Sequence, residues 1–220
     1  MNVVAFLRHD ARGHKGTGRE FKSDHYKHNR VAIQESSPQN NFRRIIAAPI
    51  ARGEFCNHTI NYCPEHRSTL APELLLAILN SKLAEWYFRL GSTNAHVSHY
   101  QLATLPCPVF AAKVNNDDEA MYRNALQAVE ARNFADARDA LASGVSSPPF
   151  SPSVLRVIVD AVQRICAIEQ TRGEISRSDR SALAPDAQPY QDLIDKLFYC
   201  MAGLTDVEAA GLEDRLSRML

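Results

Sequence analysis

The chain has 220 residues, 45% of them hydrophobic, and balances 25 Lys and Arg against 25 Asp and Glu. That is enough apolar material for one large or two small cores, which excludes a fibrous or wholly disordered chain. No apolar run approaches the roughly 18 to 20 residues of a membrane helix, and no charged-then-apolar leader opens the sequence, so a cytoplasmic protein without membrane contact is expected.

The zero net charge conceals an asymmetry. Met1 to Arg52 holds ten Lys or Arg against four Asp or Glu, a surplus of six, and Gly53 to Leu220 carries the opposite surplus. A basic arm joined to an acidic body is a polyanion-binding pattern. The five cysteines, at 56, 63, 107, 166 and 200, are odd in number and scattered, as befits reduced thiols rather than a disulfide framework.

In chain order, a short strand is predicted over Asn2 to Leu7, followed by a polar, Gly- and His-rich loop from Asp10 to Asn29. Arg44 to Ile50 and Glu54 to Cys63 read as two strands of a hairpin around Ala51-Arg52-Gly53. Pro72 opens a helix in which Leu75, Ile78, Leu79, Leu83, Trp86, Tyr87 and Leu90 recur at helical spacing until Gly91. Leu102 to Pro108 is predicted to be a stiff extended exit, held by Pro106 and Pro108. Helices are then predicted over Glu119 to Ala142, Ser153 to Thr171, and Pro189 to the C terminus, the last broken at Gly203 with Thr205 as a cap.

The fold class expected is α+β: a small mixed or antiparallel sheet with a packed helix, followed by a helical C-terminal part. The expected divisions are a basic arm over 1–30, an α+β domain over 31–112, and a helical region over 113–220 with linkers near 143–152 and 173–189.

The segments Glu35 to Arg44, Asn57-His58-Thr59, Ile78-Leu79-Asn80-Ser81-Lys82 with Trp86-Tyr87-Phe88, Gly91-Ser92-Thr93-Asn94, and Leu102-x-x-Leu105-Pro106-x-Pro108 follow one another in a characteristic order. In that order they resemble the TaqI-like C-terminal specificity domain of adenine-specific DNA methyltransferases, the target-recognition half of type II and fused restriction-modification enzymes. The likeness covers roughly residues 31 to 110. Leu193 to Phe198, Gly203-Leu204-Thr205 and Glu208 are similar to the closing helices of the same family.

The resemblance implies recognition of double-stranded DNA at a specific site, in partnership with a methyltransferase catalytic subunit or domain. In the family, S-adenosylmethionine is bound and the methyl group transferred by a separate N-terminal domain with an Asn-Pro-Pro-aromatic motif. This chain has neither that tetrapeptide nor a strand and Gly-rich turn to hold the cofactor; its one Pro-Pro, Pro148-Pro149, follows Ser147. Since chemistry on a base requires a pocket for the extruded nucleotide, no catalytic residue, cofactor or metal is assigned to this chain, and S-adenosylmethionine is expected on the partner.

A DNA-reading surface needs cations for phosphates and amide or guanidinium groups for base edges. The candidates are Gln39, Asn40, Asn41, Arg43 and Arg44, then Arg52, Asn57 and His58, and finally Asn94, His96, Ser98 and His99. Asn and Ser are also common turn residues, which is the duller alternative for each of them. Asn80-Ser81-Lys82 is expected to be structural, and the neighbouring aromatic residues to be core. A protein-interaction module docking a methyltransferase through the acidic helices is the competing class, and a half specificity subunit is a related one. His25, His28, Cys56, His58, Cys63 and His66 contain zinc-ligand chemistry at irregular spacing, without a close Cys pair. Asp10 with Glu20-Phe21-Lys22 only loosely imitates a metal-dependent nuclease set.

Overall fold

The computed structural model describes residues 22–92, 95–172 and 182–219. The predicted strand at Asn2 to Leu7, most of the basic arm, and Asn94 lie outside the described residues. Two compact units are present. One draws on residues within 1–80, 84–107 and 219–220, the other on 81–83 and 108–218.

The first unit is built on a three-stranded antiparallel sheet of β1 (Arg30–Gln34), β2 (Ala47–Ile50) and β3 (Ile60–Pro64), in the order β2-β1-β3. The expected hairpin is therefore corrected: β2 and β3 do not pair with each other, and both pair with β1, a strand not predicted. Val31 faces Pro49 on one side and Cys63 on the other. The physical reason is in the prolines. Pro49 and Pro64 have no amide hydrogen to donate to a ladder, so their strands suit edges, and the proline-free Arg30-Val31-Ala32-Ile33-Gln34 takes the centre. Val31, Ala32 and Ile33 are all buried, as a central strand covered on both faces requires.

The predicted helix from Pro72 to Leu90 is two helices, α1 (Pro72–Leu79) and α2 (Lys82–Gly91). Helix α1 lies against β1 and β2, and its six residues Leu74 to Leu79 are all buried. The break falls at Asn80, whose side chain leaves the helical pattern to pair with the edge of β2. Its Oδ1 accepts from the Ala47 amide at 3.2 Å and its Nδ2 donates to the Ala47 carbonyl at 2.9 Å. Asparagine is suited to this competition with helical hydrogen bonding. The exit segment is also less extended than predicted. His99–Leu102 forms one helical turn, capped by the Ser98 hydroxyl, and the Thr104 and Leu105 amides continue turn bonding to Gln101 and Leu102.

The second unit is helical: α3 (Asn116–Glu130), α4 (Phe134–Ala140), α5 (Pro152–Gln170), α6 (Gln188–Met201) and α7 (Asp206–Arg218). The single helix predicted over Glu119 to Ala142 is thus divided, with Arg132 at φ +57° and the Asn133 side chain capping α4. Helices α3, α5 and α6 enclose a core that includes Val129, Val157, Ile158, Leu193, Ile194 and Leu197. The predicted break at Gly203 is a Schellman turn: Gly203 has φ +74°, and the amides of Gly203 and Leu204 reach back to Cys200 and Tyr199. Thr205 and Glu208 then cap α7 reciprocally.

Residues 143–152 combine an exposed stretch, Ser146 to Pro149, with a packed turn. Gly144, Val145 and Phe150 are buried, and the Ser151 hydroxyl donates to Asp118 at 2.5 Å. A Cβ on Gly144 would lie 2.9 Å from both Met121 Sδ and Ser151 Cβ, and 3.0 Å from Val154 Cγ2. Gly144→Ala is accordingly expected to cost about 1–3 kcal/mol, the range for overpacking a close-packed interior, measured as a lower denaturant midpoint. Unchanged stability would show that this turn yields freely.

Candidate nucleic-acid interface

The antiparallel register fixes what meets at the C-terminal end of β1. Gln34 faces Ile60, and Ile33 faces Ala47, so the start of β3 and the start of β2 lie at the same end of the sheet. Beyond Gln34 the chain continues to pair. The Glu35 amide donates to the Thr59 carbonyl at 3.0 Å, while the Val97 amide donates to Glu35 and the Ser37 amide to Ala95, both at 2.8 Å. Three polar segments distant in sequence, 35–44, 57–59 and 95–99, are thereby drawn to one end of a three-stranded sheet.

The structure brings together most, not all, of the candidate residues. Gln39, Asn40, Asn57, His58, His96 and His99 are exposed at this end. Asn57 and His58 occupy a turn closed by the Ile60 amide on the Asn57 carbonyl. Ser98 is half-buried, and its hydroxyl caps the turn that carries His99. Asn41 is half-buried, with its Nδ2 donating to the Ser37 hydroxyl at 3.0 Å. Arg52 lies apart. Its amide bonds Asn29 Oδ1 and the neighbouring Gly53 amide bonds the Tyr26 carbonyl, which puts it at the opposite end of β1.

Arg43 and Arg44 serve the loop internally. The Arg43 guanidinium donates to the Asn80 carbonyl. Arg44 is only 1% exposed; its Nη2 donates to the Ser92 hydroxyl at 3.1 Å and its guanidinium stands 5.4 Å from the Phe88 ring centre. Burial, and after it the Arg89 cation, push the Arg44 guanidinium down from its ordinary value, with the Glu85 carboxylate opposing them. An enclosed guanidinium cannot meet a base edge without leaving its pocket, so Arg44 is corrected from a reader to a support.

The supports themselves were missed in the sequence. Glu85, buried on α2, accepts the Arg44 amide at 2.9 and 3.0 Å, the Ile45 amide at 3.0 Å, and Arg89 Nε at 2.6 Å. Arg89 in turn donates to the main-chain carbonyls of Gln39 at 3.1 Å and Asn41 at 2.8 Å. Ser37, fully buried, donates its hydroxyl to the Arg43 carbonyl at 2.9 Å. A carboxylate holding two main-chain amides and a cation holding two carbonyls fix the course of residues 39–45 from beneath. The available signal was the i,i+4 spacing of Glu85 and Arg89 in a helix whose other charged residue is Lys82.

The histidines named for zinc chemistry gather only in part. The His28 and His66 ring centres are 4.1 Å apart, with His25 6.2 Å from His66 and in contact with Tyr62. Among the described residues, no group of three or more His, Cys, Asp or Glu is arranged to hold a metal ion. No described helix is long and apolar enough to cross a membrane. In the second unit, Lys82 Nζ meets Glu213 at 3.0 Å and Asp192 at 3.8 Å, and the Tyr199 hydroxyl donates to Glu213 at 3.1 Å. Burial first, and then the acidic neighbours, hold the Tyr199 phenol well above its ordinary value, so it stays a neutral structural donor.

No protein-family model matches the chain, and neither a curated protein nor a solved structure is significantly similar to it. The fold and the site therefore stand on their own geometry.

Proposed function

We propose that this chain is a sequence-specific recognition module for duplex DNA, working in the cytoplasm with an adenine-specific methyltransferase whose catalytic domain is carried by a partner that binds S-adenosylmethionine. The observation that carries the proposal is the meeting of segments 35–44, 57–59 and 95–99 at one end of the sheet. Side-chain amides and imidazoles on a fixed frame can offer donors and acceptors to base edges. Of the ten Lys and Arg before Gly53, Arg30 and Arg44 are buried, and the others supply the complementary attraction for phosphates. The resemblance of its motif order to TaqI-like specificity domains, read from the sequence alone, points the same way.

The test is binding to fluorescent duplexes from a random pool, across a salt series. Affinity is expected at low salt and to fall steeply, with a slope near −0.9 per phosphate neutralised, or roughly −4 to −5 for about five contacts. Replacing Asn40 or His58 with alanine is expected to relax sequence preference while leaving that slope nearly unchanged. No affinity for any duplex at low salt, with or without a methyltransferase subunit, would rule out DNA recognition. Binding to the subunit alone would favour the docking alternative.

A further inference from the structure

Two aromatic side chains at the converging end do not fit a purely polar surface, Phe42 and Tyr100, the latter 78% exposed beside His99. Phe42 is 54% exposed, although Arg44 and Ile45, two and three residues on, are almost completely buried. A phenyl ring left in water at a loop tip ordinarily folds back onto the nearest apolar surface. Here the main chain on either side is fastened. Arg89 holds the Gln39 and Asn41 carbonyls, and the Ser37 hydroxyl holds the Arg43 carbonyl. The Phe42 amide donates to Asn41 Oδ1 at 3.1 Å, and the Glu85 carboxylate pins the Arg44 and Ile45 amides. The loop has no slack with which to withdraw the ring.

The other exposed aromatic residues of this unit are Tyr26, Phe55, Tyr87 and Tyr100; the tyrosines each carry a hydroxyl, which leaves Phe42 and Phe55 as the wholly apolar exposed rings. Phe55 is stacked on Tyr26, with ring centres 5.3 Å apart, beside Arg52 at the opposite end of β1. In the sequence Phe42 follows Asn40 and Asn41 and precedes Arg43, within the candidate interface.

Resting on the proposed DNA recognition, we infer that Phe42 makes the apolar base contact of this interface, presented by the Glu85–Arg89 clamp. A phenyl ring can meet DNA bases at a thymine C5 methyl in the major groove or at the face of an unstacked base. Both are apolar contacts with a base, and both gain from a main chain already held in place, because no loop ordering is then required on binding.

The experiment compares the wild-type chain with Phe42→Ala and Phe42→Leu on a duplex selected by the wild type from a random pool. Phe42→Ala is expected to bind about tenfold more weakly with an unchanged salt slope, since an apolar contact is lost and no phosphate contact is. Phe42→Leu is expected to retain most of the affinity. Two labelled duplexes separate the sources. Uracil in place of thymine reproduces the loss if the methyl is touched, and 2-aminopurine brightens with wild type but not with Phe42→Ala if a base is unstacked. Equal binding by Phe42→Ala and wild type overturns the inference, as does weaker binding with neither duplex responding. A wild-type chain that binds no duplex removes the proposed function itself, a result distinguishable at the first titration.

Discussion

Replacing Glu85 with alanine is expected to lower the stability of the sheet-bearing unit by about 3–5 kcal/mol, the range for removing one partner of a buried ion pair. The Glu85 and Arg89 side chains are 5% and 7% exposed, so solvent screening does little to soften the loss. The change would strand the Arg44 and Ile45 amides as well as the Arg89 guanidinium, with the enclosed Arg44 cation close by. Glu85→Gln keeps an acceptor oxygen but removes the charge, so an intermediate loss is expected. Trp86 is the chain's single tryptophan and lies beside Glu85 in α2, so its emission during urea unfolding reports on this unit. A loss below about 1 kcal/mol in Glu85→Ala would mean that water replaces the carboxylate at little cost, and that residues 39–45 are not fixed from beneath.

Phe88→Ala carries the second large effect, also about 3–5 kcal/mol, as expected for emptying a buried aromatic site. Phe88 is 2% exposed, and it additionally lies under the Arg44 guanidinium. Removing the ring would take away both core packing and the face that shelters a buried cation. Phe88→Leu restores most of the volume but not the aromatic face, so a residual loss of about 1–2 kcal/mol is expected. Since Trp86 is only two residues away, far-UV circular dichroism is the better probe for this pair. Equal stabilities for Phe88→Leu and wild type would show that Arg44 is held by Ser92 and its other neighbours, without help from the ring.

The α+β class and the positions of most helices were legible because their signals are local. Pro72, Gly91, Gly203 and Thr205 each act within a turn of where they stand, and apolar spacing marks α5 and α6 over many residues. The sheet was legible only in part. Prolines 49 and 64 carried the information that both predicted strands suit edges, and two edge strands imply a third between them; the five residues from Arg30 to Gln34 were too short to announce themselves beside a polar arm.

The site divides in the same way. Asn40, His58 and His99 were identifiable as polar residues in loops, and they are exposed. Arg44 was not identifiable as a support, because an arginine in a basic segment resembles a phosphate contact until a buried carboxylate is found opposite it. Glu85 lies 41 positions away from Arg44, and no local pattern links the two. Asn80 is the instructive intermediate: the sequence pointed to a structural role, and the structure supplies it, as a side chain bonded to both polar groups of Ala47.

The middle strand of the sheet is also the first of the three to be synthesised. On a ribosome, β1 emerges with two unpaired edges and waits for β2 and then β3, while the contacts of Glu35 and Ser37 with Val97 and Ala95 come later still. Until then it exposes a short apolar ladder on both sides, the kind of segment that pairs with the wrong partner when translation stalls. Anyone trimming this chain for expression should therefore keep everything from Arg30 through Leu105 in one piece. A boundary drawn at the predicted hairpin, around residue 44, would discard the strand on which the sheet is assembled.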